Sequence, residues 1–399
     1  MFNVQNLKNH FPILSNDSSL TYFDNASTTH KPKVVIEKIS EFYSCYNANV
    51  HRGSYDIAEK ATKEYENSRL TVSKFINCKP EEIIFTKNTT ESINLIANSL
   101  SENILNENDE IIISEMEHHS NIIPWQLVAQ KKKLNLQYIP LGKNGELNLD
   151  SFKSLINKKT KLISITHMSN LLGTINPIEK IISIAKENNI LTMIDAAQSI
   201  SHKKINIEKI NCDFLVFSGH KILGPTGVGV LFGKKDILKK MPPFLGGGHM
   251  IKEVTMEKST WGDIPYKFEA GTPNIAPVIG LNQAIKFFKK IKDKDADLHL
   301  RKLSSYFFSE LKKIKNVTII SPEGSPIIAF NILGIHSFDL TKLLSTYNIC
   351  IRSGHHCAQP ILKKYHIDSI NRVSLYYYNT KEEIDFFFKK LTEIINILK

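Results

Sequence analysis

Short, continuous apolar runs alternate with polar stretches through the middle of this chain, and that alternation restricts the possible folds more than any other feature. Ile111-Ile112-Ile113, Leu162-Ile163-Ser164-Ile165, Leu191-Thr192-Met193-Ile194, Phe214-Leu215-Val216-Phe217 and Val228-Gly229-Val230-Leu231-Phe232 are apolar almost throughout rather than every second residue. Strands covered on both faces have that composition. Segments of helical character, such as 178–188, lie between several of them. The pattern predicts an α/β fold with a largely parallel sheet flanked by helices. A Pro/Gly-rich stretch at 241–248 and the Gly271-Thr272-Pro273 loop interrupt it, and a helical segment at 276–292 follows. A smaller α+β part then ends in a helix at 381–399. The expected division is a large domain over 20–270 and a small one over 271–399, with residues 1–19 packing onto the latter. With 399 residues the chain has enough length for both cores.

The net charge of +11 raises the question of nucleic-acid binding. Only Arg52, Arg69, Arg301, Arg352 and Arg372 are arginines, and the lysines are scattered from end to end. Clusters such as Lys131-Lys132-Lys133 lack the interleaved aromatics of a nucleic-acid strip. The charge therefore follows a general drift towards Lys, Ile and Asn, and no nucleic-acid partner is expected. No cationic leader with an apolar core begins the chain, and no apolar run approaches the ~18 residues of a membrane span. A cytoplasmic protein without membrane contact is expected. Cys45, Cys78, Cys212, Cys350 and Cys357 form no C-x-x-C pair and no zinc spacing. An odd number suggests reduced thiols, most of them small core residues, and no metal site is expected.

Polar groups cluster immediately after the apolar runs. Glu115-Met116-Glu117-His118-His119 follows the first, Thr166-His167-Met168-Ser169-Asn170 the second, Asp195-Ala196-Ala197-Gln198 the third and Ser218-Gly219-His220-Lys221 the fourth. In open α/β sheets ligands sit beyond the carboxyl ends of the strands, so these four clusters would share one rim. Asn88-Thr89-Thr90-Glu91 follows Ile83-Ile84-Phe85 and has the spacing of a capping box opening a helix at 92–100, where free N–H groups favour an anion. Ser218 and His220 add donors for a phosphate. Asp195 suits a protonated pyridine nitrogen, His118 a flat ring to stack, and Lys221 an aldehyde. Phosphate, pyridinium and aldehyde partners together describe pyridoxal 5'-phosphate.

Ser218-Gly219-His220-Lys221, Asp195-Ala196-Ala197-Gln198 and Arg352-Ser353-Gly354-His355-His356-Cys357-Ala358-Gln359-Pro360 resemble the SufS-type (group II) cysteine desulfurases of the class V aminotransferase family. The likeness extends from Tyr22-Phe23-Asp24-Asn25-Ala26 through Val50-His51-Arg52-Gly53 to the helical tail. It implies fold type I, with a mostly parallel seven-stranded sheet, and an obligate homodimer. By the same resemblance Lys221 would bond the cofactor and move the substrate Cα proton. Asp195 would pair with the pyridine nitrogen, Gln198 touch the ring oxygen and His118 stack on the ring. Thr89, Thr90, Ser218 and His220 would hold the phosphate, with Thr272 reaching in from the other subunit. Asn170 and Arg352 would line the substrate pocket, and Arg372 would clamp the substrate carboxylate. Position 88 is Asn where the family commonly has Gly, and Tyr55 stands where many relatives have a second histidine.

Cys357, in a loop after two histidines and a glycine with Arg352 nearby, is the candidate nucleophile, because neighbouring cations and donors favour a thiolate. Cys350, within Ile349-Cys350-Ile351, is expected to be a buried strand residue. The resemblance implies conversion of L-cysteine to L-alanine with a persulfide on Cys357, passed to a SufE-type acceptor and the iron–sulfur scaffold machinery. Selenocysteine would be a possible second substrate of the same site. The alternatives are another class V lyase or aminotransferase, which would not need the thiol, and a binding protein on an inactive enzyme fold.

Overall fold

The computed structural model describes residues 2–142 and 144–398, so the expected domain ends at 1 and 399 lie outside the described residues. Seven strands form the main sheet: β1 (Ile83–Thr86), β2 (Glu110–Ser114), β3 (Asn135–Ile139), β4 (Thr160–Thr166), β5 (Leu191–Asp195), β6 (Phe214–Ser218) and β7 (Gly229–Gly233). Their order is β1-β7-β6-β5-β4-β2-β3. Strands β6, β5, β4, β2 and β3 are parallel, and β7 is antiparallel to both neighbours. Every residue of β2, β6 and β7 is buried, as their uniform apolar composition predicts. Helices cover the faces, among them α1 (Lys33–Cys45), α2 (Asp56–Ile76), α3 (Thr89–Asn103) and α4 (Ile178–Glu187). The α/β architecture with a mostly parallel seven-stranded sheet is thus the one expected.

The strand order decides where the chemistry goes. Because β6, β5, β4 and β2 are adjacent and parallel, the four polar clusters that follow them emerge side by side on one rim. Two antiparallel steps through β7 return β1 to the same direction, so the N-terminus of α3 also opens there. Gly229 pairs with both Thr86 and Ser218, and a Cβ on it would come within 2.6 Å of the Asn88 backbone. Only a glycine lets β7 approach the junction between β1 and α3 this closely. Asn88 caps α3 through its side chain, which accepts from Glu91 N at 2.9 Å, while Glu91 accepts from Lys87 N rather than completing a reciprocal box. The Asn88 φ of −174° is extended backbone open to any residue, so the Asn in place of the family's usual Gly requires no left-handed angle.

A second, antiparallel sheet follows: β8 (Val317–Ile319), β9 (Ile327–Ile332), β10 (Arg352–Gly354) and β11 (Ile370–Ser374), in the order β8-β9-β11-β10. Between the sheets α5 (Ile275–Ile291) packs against α1 and α2, and α6 (Lys294–Leu311) packs against the C-terminal helix α7 (Lys381–Leu398). The N-terminal segment crosses to this second part. Thr21–Tyr22 pairs in parallel with Ile349–Cys350, Asp24 bridges to Ser374, and Phe11 packs edge-on against Tyr378. Among the described residues no helix is long and apolar enough to cross a membrane.

The thiols correct one expectation. Cys212 alone is fully buried; Cys45 is exposed, and Cys78, Cys350 and Cys357 are half-buried. Cys350 does lie in a strand, but one of only two residues at the edge of the N-terminal crossover, which cannot cover both faces.

Candidate active site

The rim clusters converge on a cavity of about 230 Å³ lined by Thr89, Thr90, His118, Asn170, Asp195, Gln198, Ser218, His220, Lys221, Arg352, Cys357 and Arg372. Those are all but one of the residues singled out in the sequence. Thr272 is the exception. It is exposed, within 3.5 Å of Asn49 Nδ2, and lines a different cavity with Lys87, Glu91 and Phe244.

Lys221 ends the turn after β6. Its amine has no hydrogen-bond or ion-pair partner among the described residues, and burial pulls its pKa down to about 8, against the opposing pull of Asp195. Such an amine is neutral often enough to act as a nucleophile and base. Asp195, at the end of β5, is 4% exposed and accepts from Ala197 N at 2.8 Å; burial raises its pKa, and Lys221 counters the rise. His118 is held neutral, its pKa pulled down to about 3 by burial and then by the Lys221 charge; its Nδ1 accepts from Ser120 N at 3.1 Å. The end of the cavity below α3 is a cluster of hydroxyls. Ser218 Oγ lies 2.8 Å from Thr89 Oγ1 and accepts from Thr89 N at 2.9 Å, and Thr90 Oγ1 lies 2.7 Å from Ser120 Oγ. Gln198 is fixed by a bond from Nε2 to Ala26 O, 2.8 Å.

The second sheet supplies the opposite wall. Arg352 on β10 stands directly across from Arg372 on β11, a like-charge pairing that disfavours the sheet unless anions face it. One carboxylate is present: Arg372 Nη2 donates to Asp24 Oδ1 at 2.8 Å. Both guanidiniums also donate to Ser27 Oγ at 2.7 Å, and Arg372 Nη1 donates to Asn170 O at 3.0 Å. Arg372 is 2% exposed, yet its Nε is buried with no partner among the described residues. Two cations, one carboxylate and an orphaned donor make a receptor for a further anion. Asp24 and Ser27 were not picked out in sequence, since their partner Arg372 lies 348 and 345 residues away.

Cys357 closes the mouth. His356 and Cys357 both hold positive φ, 52° and 54°, after Gly354 at 115°. Two successive non-glycine residues in the left-handed region store strain of about 1 kcal/mol or more each. The loop is held in that shape from outside: Asn170 Nδ2 donates to His356 O at 2.7 Å, and His119 N donates to Cys357 O at 2.8 Å.

The aminotransferase class-V family model matches residues 21–387. The chain belongs to the class V aminotransferase family. It is a pyridoxal-phosphate-dependent enzyme of that class. It is 45% identical to a cysteine desulfurase of Wigglesworthia glossinidia brevipalpis, with 99% of this chain and 98% of the relative covered. A probable cysteine desulfurase of Staphylococcus aureus strain Mu50 is 44% identical over 100% of this chain and 96% of its own. Among solved structures, the cysteine desulfurase CsdA of Escherichia coli, in an S-sulfonic acid form, superposes with a TM-score of 0.94 at 34% identity, and each chain is covered completely. That of Thermococcus onnurineus NA1, without cofactor, gives 0.94 at 38% identity over 99% of both chains. The donor set of this class V chain fits the cofactor: an unpaired, half-buried amine, a buried carboxylate, a neutral ring and a hydroxyl cluster at a helix N-terminus all face one cavity.

Proposed function

We propose that this enzyme is a SufS-type cysteine desulfurase, transferring sulfur from L-cysteine to Cys357 and releasing L-alanine. The carrying observation is that Cys357 and Lys221 line the same cavity, with the Arg372–Arg352 anion receptor between the two sheets. Lys221 would hold pyridoxal phosphate, with Asp195 at the pyridine nitrogen, Gln198 at the ring oxygen and His118 against the ring face. Thr89, Thr90, Ser218 and His220 would hold the phosphate. The cofactor, when bound, supplies a conjugated electron sink next to the substrate Cα.

Arg372 binds the substrate carboxylate with its guanidinium and orients the amino acid, with Arg352 and Asn170 beside it. Lys221 takes the Cα proton and returns it to Cα once the sulfur has left, so that alanine keeps its Cα–H. The Cys357 thiolate attacks the substrate Sγ, the Cβ–Sγ bond breaks with its pair going to Cβ, and protonation there gives the methyl group of alanine. Cysteine plus enzyme thiol thus become alanine plus enzyme persulfide. The outward-facing strained loop suits delivery of that sulfur to a SufE-type acceptor serving iron–sulfur cluster assembly, and selenocysteine would enter the same site. Thr272, outside the cavity of its own chain, supports a two-fold dimer in which it completes the partner's phosphate site. The two sheets support a division into a large domain over 20–270 and a small one from 271, in a cytoplasmic enzyme. Incubation with cysteine and a reducing thiol tests the reaction. Equal yields of alanine and sulfide are expected, whereas pyruvate and ammonia accompanying the sulfide in place of alanine, or a sulfur-bearing keto acid without sulfide, would sink the assignment.

A further inference from the structure

We propose that His119, His355 and Cys357 form a binding site for a soft, zinc-class divalent cation at the mouth of the cavity. Among the described residues they are the one set of His, Cys, Asp or Glu side chains whose ligand atoms converge, all within 4.8 Å of one another. Ligands around tetrahedral zinc stand about 3.3–3.8 Å apart, so modest side-chain rotation brings these three to that spacing. The segments carrying them are already tied together. His119 N donates to Cys357 O at 2.8 Å, Gln359 N donates to His119 Nε2 at 3.3 Å, and Cys357 N donates to His355 Nδ1 at 3.1 Å. The two imidazole rings stack with centroids 5.7 Å apart. No sequence spacing shows this set, because His119 comes from the short helical turn after β2 and the other two from the loop after β10.

Imidazole and thiolate select zinc-class ions over magnesium or calcium, and three protein ligands leave a fourth position for water. Two features keep the affinity below that of a structural zinc site. Two ring nitrogens are engaged as acceptors, so the cation must displace a backbone N–H or await tautomer exchange. The charges of Lys221, Arg352 and Arg372 stand on the cavity side. On binding, a metal–Sγ bond forms, the thiol proton leaves to solvent, the imidazoles bind neutral and no electron is transferred. The functional consequence rests on the role proposed for Cys357: an occupied site withholds the nucleophile's lone pair and shields it from alkylation.

The test is titration of the cofactor-loaded enzyme with Co²⁺, then Zn²⁺. One cobalt per chain is expected, with a thiolate-to-cobalt charge-transfer band in the difference spectrum that zinc displaces. Zinc should slow iodoacetamide labelling of Cys357, read by peptide mass, about tenfold. Cys357→Ser should lack the band, and His119→Asn and His355→Asn should each weaken zinc binding about tenfold or more. Cys45→Ser, the control for an exposed thiol, should change nothing. Cofactor absorbance and Tm confirm that each variant is folded, with His→Gln variants replacing any Asn variant that is not. Absence of binding, or a site indifferent to both histidines or lost with Cys45, overturns the proposal. Binding as described with cysteine turnover undiminished at saturating zinc would leave the metal site standing and remove Cys357 from the reaction.

Discussion

Burial works against the charge of Lys221, and that conflict has a measurable sign. Its folded pKa is about 8 against an ordinary 10.5. Between those values the unfolded chain holds a proton that the folded chain has lost, so stability rises with pH across this window and is penalised most below it. The Lys221 contribution to the stability of cofactor-free enzyme should therefore rise from pH 8 to 10.5, read as the difference between wild type and Lys221→Met in urea unfolding. Lys221→Met should be the more stable form at pH 7, with the difference shrinking over the same window; a gap that widens with pH would contradict the assignment. In the proposed reaction Cys357 acts at a different atom, the substrate Sγ. Cys357→Ala should keep the bound cofactor but lose sulfide release from cysteine by about a hundredfold or more, since no nucleophile remains for Sγ. Selenocysteine, with its weaker carbon–selenium bond, should still be cleaved at an appreciable rate. Cys350→Ala, by contrast, should cost only about 1 kcal/mol in stability and leave turnover intact.

At the scale of elements, one buried ion pair joins parts that the sheet does not. Arg69 on α2 meets Glu269 in a two-bond fork, Nη1 to Oε1 at 2.8 Å and Nη2 to Oε2 at 2.9 Å. Arg69 also donates to Ile83 O, and Glu269 accepts from Phe85 N at 2.7 Å, so the pair pins β1 to both α2 and the segment leading to Thr272. Arg69→Ala strands a buried carboxylate and should cost about 3–5 kcal/mol by denaturant unfolding. Adding Glu269→Leu should recover part of that loss; full additivity of the two substitutions would show that the pair is not coupled. Nothing in local sequence marks this pair, because its members are 200 residues apart. The central strands were legible because burial on both faces makes them continuously apolar. Edge strand β3, with its Asn135-Leu136-Gln137-Tyr138-Ile139 mixture and half-exposed pattern, offers no such run. The exposed hairpin Ile251–Val254 and Ser259–Trp261 is silent for the same reason.

For the whole molecule, the rim residues were legible because strand ends in a parallel sheet point to one place, while the anion receptor was only half legible. Arg352 and Arg372 stand out as two of five arginines, but Asp24 and Ser27 reach them only through the N-terminal crossover. Thr272 carries the reading to the assembly. Sedimentation should show a dimer at working concentrations, and Thr272→Ala should weaken cofactor retention without altering the dimer. A fully active monomer would remove Thr272 from the site.

If sulfur leaves cysteine for Cys357, a single turnover without reductant must leave it there. Cofactor-loaded enzyme is mixed with L-cysteine, alanine is counted and the protein is mapped by peptide mass. One alanine per active site and one extra sulfur atom on the peptide carrying Cys357 are expected, with neither formed in Cys357→Ala. Extra sulfur on Cys350 instead, or wild-type alanine formation in Cys357→Ala, would contradict transfer to Cys357.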